Sequence, residues 1–437
     1  MTDPGSDRPS GRRWPLWLGL GLALTLLACV LPVGLAAKYV DRLPDAAGAA
    51  ARSTPPPARS PRPGDPTPVA QAWLRERIAE LLQQQAAALL RGDERGFVAV
   101  ADPASPAAGA LKRQFRALRA LRVTAWQPRV DTVPIRVAGG VEWRVRVSYQ
   151  HCFVVASCRT GPVVMESRWR DAAGRLRMVA VESSLSAREG PRPWAVSDLV
   201  VAVGRRALVA TTPAHRKLLP GLLAEAEAAA VVADRYAVGE ARPDRYRVFY
   251  AGAAEWRRWY GGGRPSWTAG YAVAVGGGHY EVVLNGGRLH STVLGDLLRH
   301  ELTHAASLPD QGYRDGGNWW LVEGMAELAG AGGRPVRQYD GLPELRRLLQ
   351  SDAWNGRLET AEAAAAADDW DVTARYAIGY LAVRHLVDRF GERQLLAFFA
   401  AVVHDGATPE AAARQVFGEE WPTLQDDCVA YLRAAAG

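Results

Sequence analysis

The chain is poor in lysine. Of its 437 residues only Lys38, Lys112 and Lys217 are lysines, so 53 − 3 = 50 of the basic residues are arginines, and they set the formal charge of +7 and the pI near 9.4. No basic run interleaved with aromatics and no helix-turn-helix pattern is present, which argues against a nucleic-acid partner. The modest basic excess suits an acidic partner or an anionic envelope. Cysteine is scarce as well, with four in the whole chain. His151 with Cys152 and Cys158 would leave a zinc ion one ligand short, which excludes that metal site. In an oxidising compartment Cys152 and Cys158 could instead form a disulfide clamping the end of a strand pair; two free thiols are the alternative.

What is present begins at the N-terminus. After Arg8, Arg12 and Arg13, residues 14–37 (WPLWLGLGLALTLLACVLPVGLAA) carry no charge. The run is long enough to cross a hydrocarbon core of roughly 30 Å, so it reads as a single transmembrane anchor. The basic residues before it put residues 1–13 in the cytoplasm and everything after Lys38 outside it. A cleaved signal peptide is the alternative, but the apolar core of such a peptide usually spans only about 7–15 residues. Cys29 follows Leu26-Leu27-Ala28 in a loose likeness to a lipoprotein box, although the chain after it stays apolar. Residues 38–68 form a linker, and its part from 51 (ARSTPPPARSPRPGDPTP) is too proline-rich for helix or strand, so it reads as a stalk at about 3.1 Å per residue.

From Val69 the apolar residues Trp73, Ile78, Leu81, Leu82, Leu89 and Leu90 recur at helical spacing, and Gly92 stops the helix. A second helix begins at Ser105-Pro106. In VEWRVRVSY the residues Val141, Trp143, Val145, Val147 and Tyr149 alternate with polar ones, as a sheet with one buried face requires. Two more strands flank a turn at residues 171–174. Near Pro193 a second domain opens with a strand in LVVAVGRRALVAT and runs to residue 437. The fold class is therefore α+β, with domains at 69–190 and 193–437.

The chemistry concentrates in LLRHELTHAASLP. Ser291 or Thr292 can cap a helix whose apolar face holds Leu294, Leu297, Leu298 and Leu302. At 100° per residue His300 and His304 point nearly the same way, with Glu301 on the neighbouring face, which suits two zinc ligands and a base. A third protein ligand is available in NWWLVEGMAELAG, where Glu323 lies nineteen positions after His304 (323 − 304 = 19). Upstream, HYEVVLNGG (279–287) reads as an edge strand able to pair with an extended substrate backbone.

Two resemblances can be drawn. The order of helices and antiparallel strands in 69–190 is similar to the cone-shaped fold of the nuclear transport factor 2-like superfamily. Trp320-Leu321-Val322-Glu323-Gly324-Met325-Ala326, at its spacing from His300-Glu301-Leu302-Thr303-His304, resembles the gluzincin metallopeptidases of the peptidase MA-like type, including aminopeptidase N-type enzymes. That resemblance implies a zincin-type domain in which His300, His304 and Glu323 bind one Zn2+, Glu301 is the general base, and Glu327 is an outer partner of a ligand histidine. It further implies that Tyr376 of Tyr376-Ala377-Ile378-Gly379 faces the oxyanion, with Tyr380 competing for the role on a helix at 371–390. The aminopeptidase segment Gly-x-Met-Glu-Asn, which anchors a free amino group, is absent. The expectation is a membrane-anchored, outward-facing zinc metallopeptidase acting on a peptide or protein substrate; a catalytically inactive binding protein of the cell envelope is the alternative.

Overall fold

The computed structural model describes residues 60–437 except 63, 138–139, 159–160, 173, 183–189, 240–242, 291, 311–316 and 352. The apolar run at 14–37, Cys29 and most of the proline-rich linker lie outside the described residues. Among the described residues no helix is long and apolar enough to cross a membrane. The described residues from 60 to 437 form one compact α+β unit.

Its first part is helix over sheet. Helix α1 (Thr67–Arg91) starts two residues before Val69, because Pro68 sits in its first turn, where a missing N–H costs nothing. It ends at Gly92, whose φ of 78° is the left-handed cap the sequence predicts. Leu74, Ile78, Leu82 and Leu89 form its buried face. After the short α2 (Glu94–Val98), α3 (Pro106–Ala120) buries Leu111, Phe115 and Leu118. Both long helices pack on an antiparallel sheet in the order β1-β3-β4-β5, made of β1 (Val123–Val130), β3 (Glu142–Phe153), β4 (Val163–Ala172) and β5 (Arg175–Glu182), with β2 (Ile135–Arg136) beside β3. The alternation in β3 holds for Val145, Val147 and Tyr149. Val141 departs from it: it precedes the strand and is 63% exposed. Cys152 and Cys158 are joined as a disulfide at the end of β3.

After α4 (Pro193–Val196) the expected single strand of LVVAVGRRALVAT is two, β6 (Val200–Val203) and β7 (Ala207–Thr211), antiparallel to each other. The glycine and two arginines between them make the turn that periodicity alone passes over. Helix α5 (Leu219–Ala233) then leads to β8 (Tyr246–Ala251), α6 (Ala253–Arg258), β9 (Gly270–Gly276) and β10 (His279–Asn285), giving a mixed sheet ordered β6-β7-β8-β10-β9. The strand in HYEVVLNGG is therefore internal, parallel to β8 and antiparallel to β9, and the expectation of an edge strand there is corrected. Its apolar residues on both faces have partners on both faces. The edge strands are β6 and β9.

The sheet's two faces are covered differently. Val209, Val248, Val282 and Leu284 face α5 and α7 (Leu294–Ser307). Leu208, Ala210, Phe249 and Val283 face the other way and share one hydrophobic cluster with Phe97, Trp126, Phe153 and Trp194 of the first part. Within that shared interior lies a charged group: the Glu281 carboxylate, 1% exposed, stands 3.7 Å from both Arg192 Nη1 and Arg247 Nη1 and accepts a hydrogen bond from the Tyr260 hydroxyl. The remaining helices, α8 (Trp319–Ala331), α9 (Leu342–Leu349), α10 (Asp369–Phe390), α11 (Glu392–Phe399), α12 (Pro409–Val416) and α13 (Trp421–Ala436), enclose a separate cluster around Trp320, Tyr380, Phe398 and Trp421.

Removing one partner of a buried ion group strands the others. Glu281→Gln is expected to cost about 3–5 kcal/mol, read as the loss of unfolding free energy in a urea titration. A loss below about 1 kcal/mol, the range of exposed pairs, would show the two arginines to be held by other groups.

Candidate metal centre

Helix α7 carries His300-Glu301-Leu302-Thr303-His304. It begins later than expected: Val293 is its N-cap residue and makes no side-chain cap, Thr292 lies in the preceding turn, and Ser291 is outside the described residues. Leu298 and Leu302 are fully buried against the second sheet. Residues on the opposite side of the helix turn toward α8. Two devices hold α7 and α8 together. Arg299 donates from Nη2 to the Gly330 carbonyl at 2.9 Å, and Asp296 pairs with both Arg299 and Arg334. A Cβ at Gly330 would lie 3.2 Å from the Asp296 carbonyl oxygen, so the glycine permits the close crossing.

At that crossing His300, His304 and Glu323 come together. Their donor atoms make a near-equilateral triangle: His300 Nε2 to His304 Nε2 is 3.1 Å, and Glu323 Oε2 is 3.2 Å from each nitrogen. Around a tetrahedral zinc with bonds of about 2.0–2.1 Å, adjacent donor atoms stand roughly 3.3–3.4 Å apart, so the triangle fits the ion and the two-nitrogen, one-oxygen set leaves a fourth position. The group could hold a metal. Burial disfavours charge on His300, yet hydrogen bonds to Glu323 and Glu327 keep its pKa well above the ordinary histidine value. Glu323 is half-buried, and although desolvation opposes its charge, His304 and His300 lower its pKa. The carboxylate thus favours positive charge at this point, and a divalent cation would take the place of the proton that His300 otherwise holds.

Glu301 is 4% exposed, and among the described residues its Oε2 has no hydrogen-bond partner. Burial raises its pKa. Gly270, at the start of β9, lies against it: a Cβ there would be 2.9 Å from Glu301 Oε1. Glu327 Oε1 stands 3.0 Å from His300 Nδ1, which leaves His300 Nε2 directed at the triangle. Its other oxygen accepts from the Tyr339 hydroxyl at 2.6 Å. The sequence reading missed Tyr339. It follows a single 3₁₀ turn, Val336–Gln338, too short for periodicity to signal a contact.

Tyr376 and Tyr380 both lie on α10, which starts at Asp369, two residues earlier than expected. Four positions leave a 40° offset on a helix, enough here to part them. The Tyr376 ring is 5.9 Å from the His300 ring and edge-on to Trp319 at 5.0 Å. Burial, followed by Glu323, Glu327 and Glu301, pushes its pKa well above the usual tyrosine value, so its hydroxyl stays a donor. Tyr380 is fully buried, stacks on Tyr339 at 4.2 Å, and its charged neighbours are Arg384, Arg334 and Asp388, none of which belongs to the triangle. Helix α10 reaches Tyr376 into place through a glycine contact. A Cβ at Gly379 would be 2.7 Å from the Trp320 carbonyl oxygen, and one at Gly324 would be 2.2 Å from the Gly379 carbonyl oxygen. The glycine of Tyr-x-x-Gly therefore meets the helix that carries Glu323.

This geometry has two measurable consequences. Tyr339→Phe keeps the ring stacked on Tyr380 but frees Glu327, and zinc affinity measured by competition with a chromophoric chelator should fall about 10-fold, the low end for outer partners of a ligand. Gly379→Ala forces α8 and α10 apart at backbone level; a stability loss of about 1–3 kcal/mol in chemical denaturation is expected, accompanied by weaker zinc binding.

No family model matches the chain, and no curated protein matches it either. Among solved structures the chain is similar to native yeast LTA4 hydrolase, at 17% identity and a TM-score of 0.34, over 59% of this chain and 42% of that one. It thus spans less than half the length of that protein, and so distant a likeness assigns neither substrate nor activity.

Proposed function

We propose that the protein is a zinc-dependent metallopeptidase of the gluzincin type, held at the cell membrane by residues 14–37 with the chain after Lys38 outside the cytoplasm, and that it hydrolyses peptide bonds of a peptide or protein substrate. The observation that carries the reading is the triangle of His300 Nε2, His304 Nε2 and Glu323 Oε2 with the buried Glu301 carboxylate beside it. Helices packed across an antiparallel sheet support reading residues 69–190 as the nuclear transport factor 2-like module. The disulfide between Cys152 and Cys158 suits an oxidising, extracytoplasmic compartment.

One Zn2+ per chain, held by His300, His304 and Glu323, would supply a Lewis acid that polarises the scissile carbonyl and makes water acidic near neutral pH. The chain's own residues do the rest. Glu301, shielded from solvent, takes a proton from the attacking water and returns it to the departing amine as the C–N bond breaks, so one water is consumed and two chain ends appear. The Tyr376 hydroxyl donates to the carbonyl oxygen as negative charge develops on it. Glu327 and Tyr339 keep His300 in one tautomer. The free edge of β9, which starts against Glu301, aligns an extended backbone.

Elemental analysis of the folded part should find one zinc per chain, lost in the double variant of His300 and His304; zinc retained in that variant would sink the site. Glu301→Gln should keep the metal while peptide hydrolysis disappears. Tyr376→Phe should lower kcat about 10²- to 10³-fold at unchanged zinc content, with Tyr380→Phe costing far less. The reverse order of those two variants would remove Tyr376 from the mechanism.

A further inference from the structure

Strand β9 offers its outer edge to a ligand in a definite pattern. Asn285 N donates to the Ala269 carbonyl at 2.8 Å, and the register pairs Val283 with Tyr271 and Glu281 with Val273. By alternation, Tyr271 and Val273 bond to β10, while the N–H and C=O groups of Gly270, Ala272 and Ala274 point away from the sheet. Gly270 is the residue against Glu301, so a strand laid along this edge passes the catalytic carboxylate. Residues 270–278, GYAVAVGGG, contain no acidic side chain, so nothing on the strand or its turn can hold a substrate's amino group by charge.

A cation stands there instead. On the face of β9 turned away from α7, Tyr271 and Val273 lie with Trp256, whose ring meets the Tyr271 ring edge-on at 5.2 Å. The Arg264 guanidinium sits over that same Tyr271 ring, 4.2 Å from its centroid. Among the described residues no carboxylate pairs with Arg264, and its Nε is buried without a hydrogen-bond partner. Its position is set by local backbone: Gly261, Gly262 and Gly263 all have positive φ, and Pro265 opens a turn closed by Thr268 N donating to the Pro265 carbonyl at 3.1 Å. A ligand strand on the β9 edge turns alternate side chains to this face, and those beside Tyr271 lie roughly 5 Å away, within reach of the guanidinium.

We infer that Arg264 selects substrates carrying a carboxylate next to the scissile bond, so that the site takes acidic peptides, or peptide chain ends, and does not count from a free amino terminus. The inference rests on the peptidase reading and deepens it. A carboxylate can come from an Asp or Glu side chain or from the substrate's C-terminus, and the test separates the two.

Fluorescein-labelled octapeptide pools are prepared as Asp/Glu pools, their Asn/Gln counterparts and Lys/Arg pools, each with a free or an amidated C-terminus. Binding is measured by anisotropy to zinc-loaded Glu301→Gln protein, and cleavage with the unaltered protein. Acidic pools should bind and be cleaved about 10- to 100-fold better than their amide counterparts, the range of a charge-assisted hydrogen bond. That ratio should fall near unity in Arg264→Gln and invert toward Lys/Arg pools in Arg264→Glu. A preference confined to the free-acid pools assigns the carboxylate to the chain end; one that survives amidation assigns it to the side chain. Equal binding of acidic and amide pools, or a ratio unchanged in Arg264→Gln protein of normal zinc content, overturns the inference. Selective binding without cleavage by the unaltered protein would sink the peptidase reading and leave Arg264 as a ligand-selecting residue.

Discussion

The contact between Gly324 and Gly379 sets the geometry of the centre. It brings the backbones of α8 and α10 so close that any side chain at either position would collide with a carbonyl. From that point each helix delivers its chemistry by its own period. Glu323 precedes Gly324 by one residue and Glu327 follows one turn after Glu323, on the face turned to α7. Tyr376 precedes Gly379 by three residues and arrives beside His300. Such a contact has little freedom to adjust, because backbones cannot repack as side chains do. A wider spacing would move Glu323 and Tyr376 together.

The second sheet divides its work by face and by edge. One face supports α7, which fixes the two histidines from below. The other is closed by the first part of the chain, with Glu281, Arg192 and Arg247 locked inside the shared interior. Ionic groups there contribute little net stability but make any misaligned packing of the two sheets expensive, since each misalignment would strand a charge. With both faces occupied, the sheet keeps two edges, β6 and β9, and it is β9 whose first residue, Gly270, lies against Glu301. The covering of the faces thus leaves an open strand edge on the side where the Glu301 carboxylate stands.

How much of this was legible in the sequence depends on the range of the interaction. The helix bearing His300 and His304, its apolar face and the glycine stop of α1 follow from local periodicity and capping. Glu323 and Glu327 were reached through the Trp-Leu-x-Glu-Gly-x-Ala resemblance, and the structure places both beside His300. The polar residues His279, Glu281 and Asn285 give HYEVVLNGG the look of an edge strand, yet Glu281 is matched by buried arginines and the strand is internal, while the edge strand GYAVAVG has weak alternation and four small residues. Tyr339 and Arg264 were invisible for a different reason. Each sits in an irregular segment, and its partner is fixed by tertiary packing that no spacing rule encodes. Gly324 and Gly379 lay inside recognised segments, but that they meet each other is a fact of three dimensions.

Electrostatics connects the centre to its surroundings. Glu301, Glu323 and Glu327 bring three carboxylates into one low-dielectric region beside two imidazoles, a set whose charges are compensated best when a divalent cation joins them. Such a region repels an approaching carboxylate unless positive charge is supplied close by. Arg264 supplies it at a separate place, on the far face of β9 and stacked on Tyr271, where it does not neutralise Glu323. A cation placed inside the triangle would compete with the metal, and one farther along the strand would act across solvent and be screened within about 10 Å. Its position beside the first residues of the edge strand therefore lets the chain keep an anionic metal site and still receive an anionic ligand.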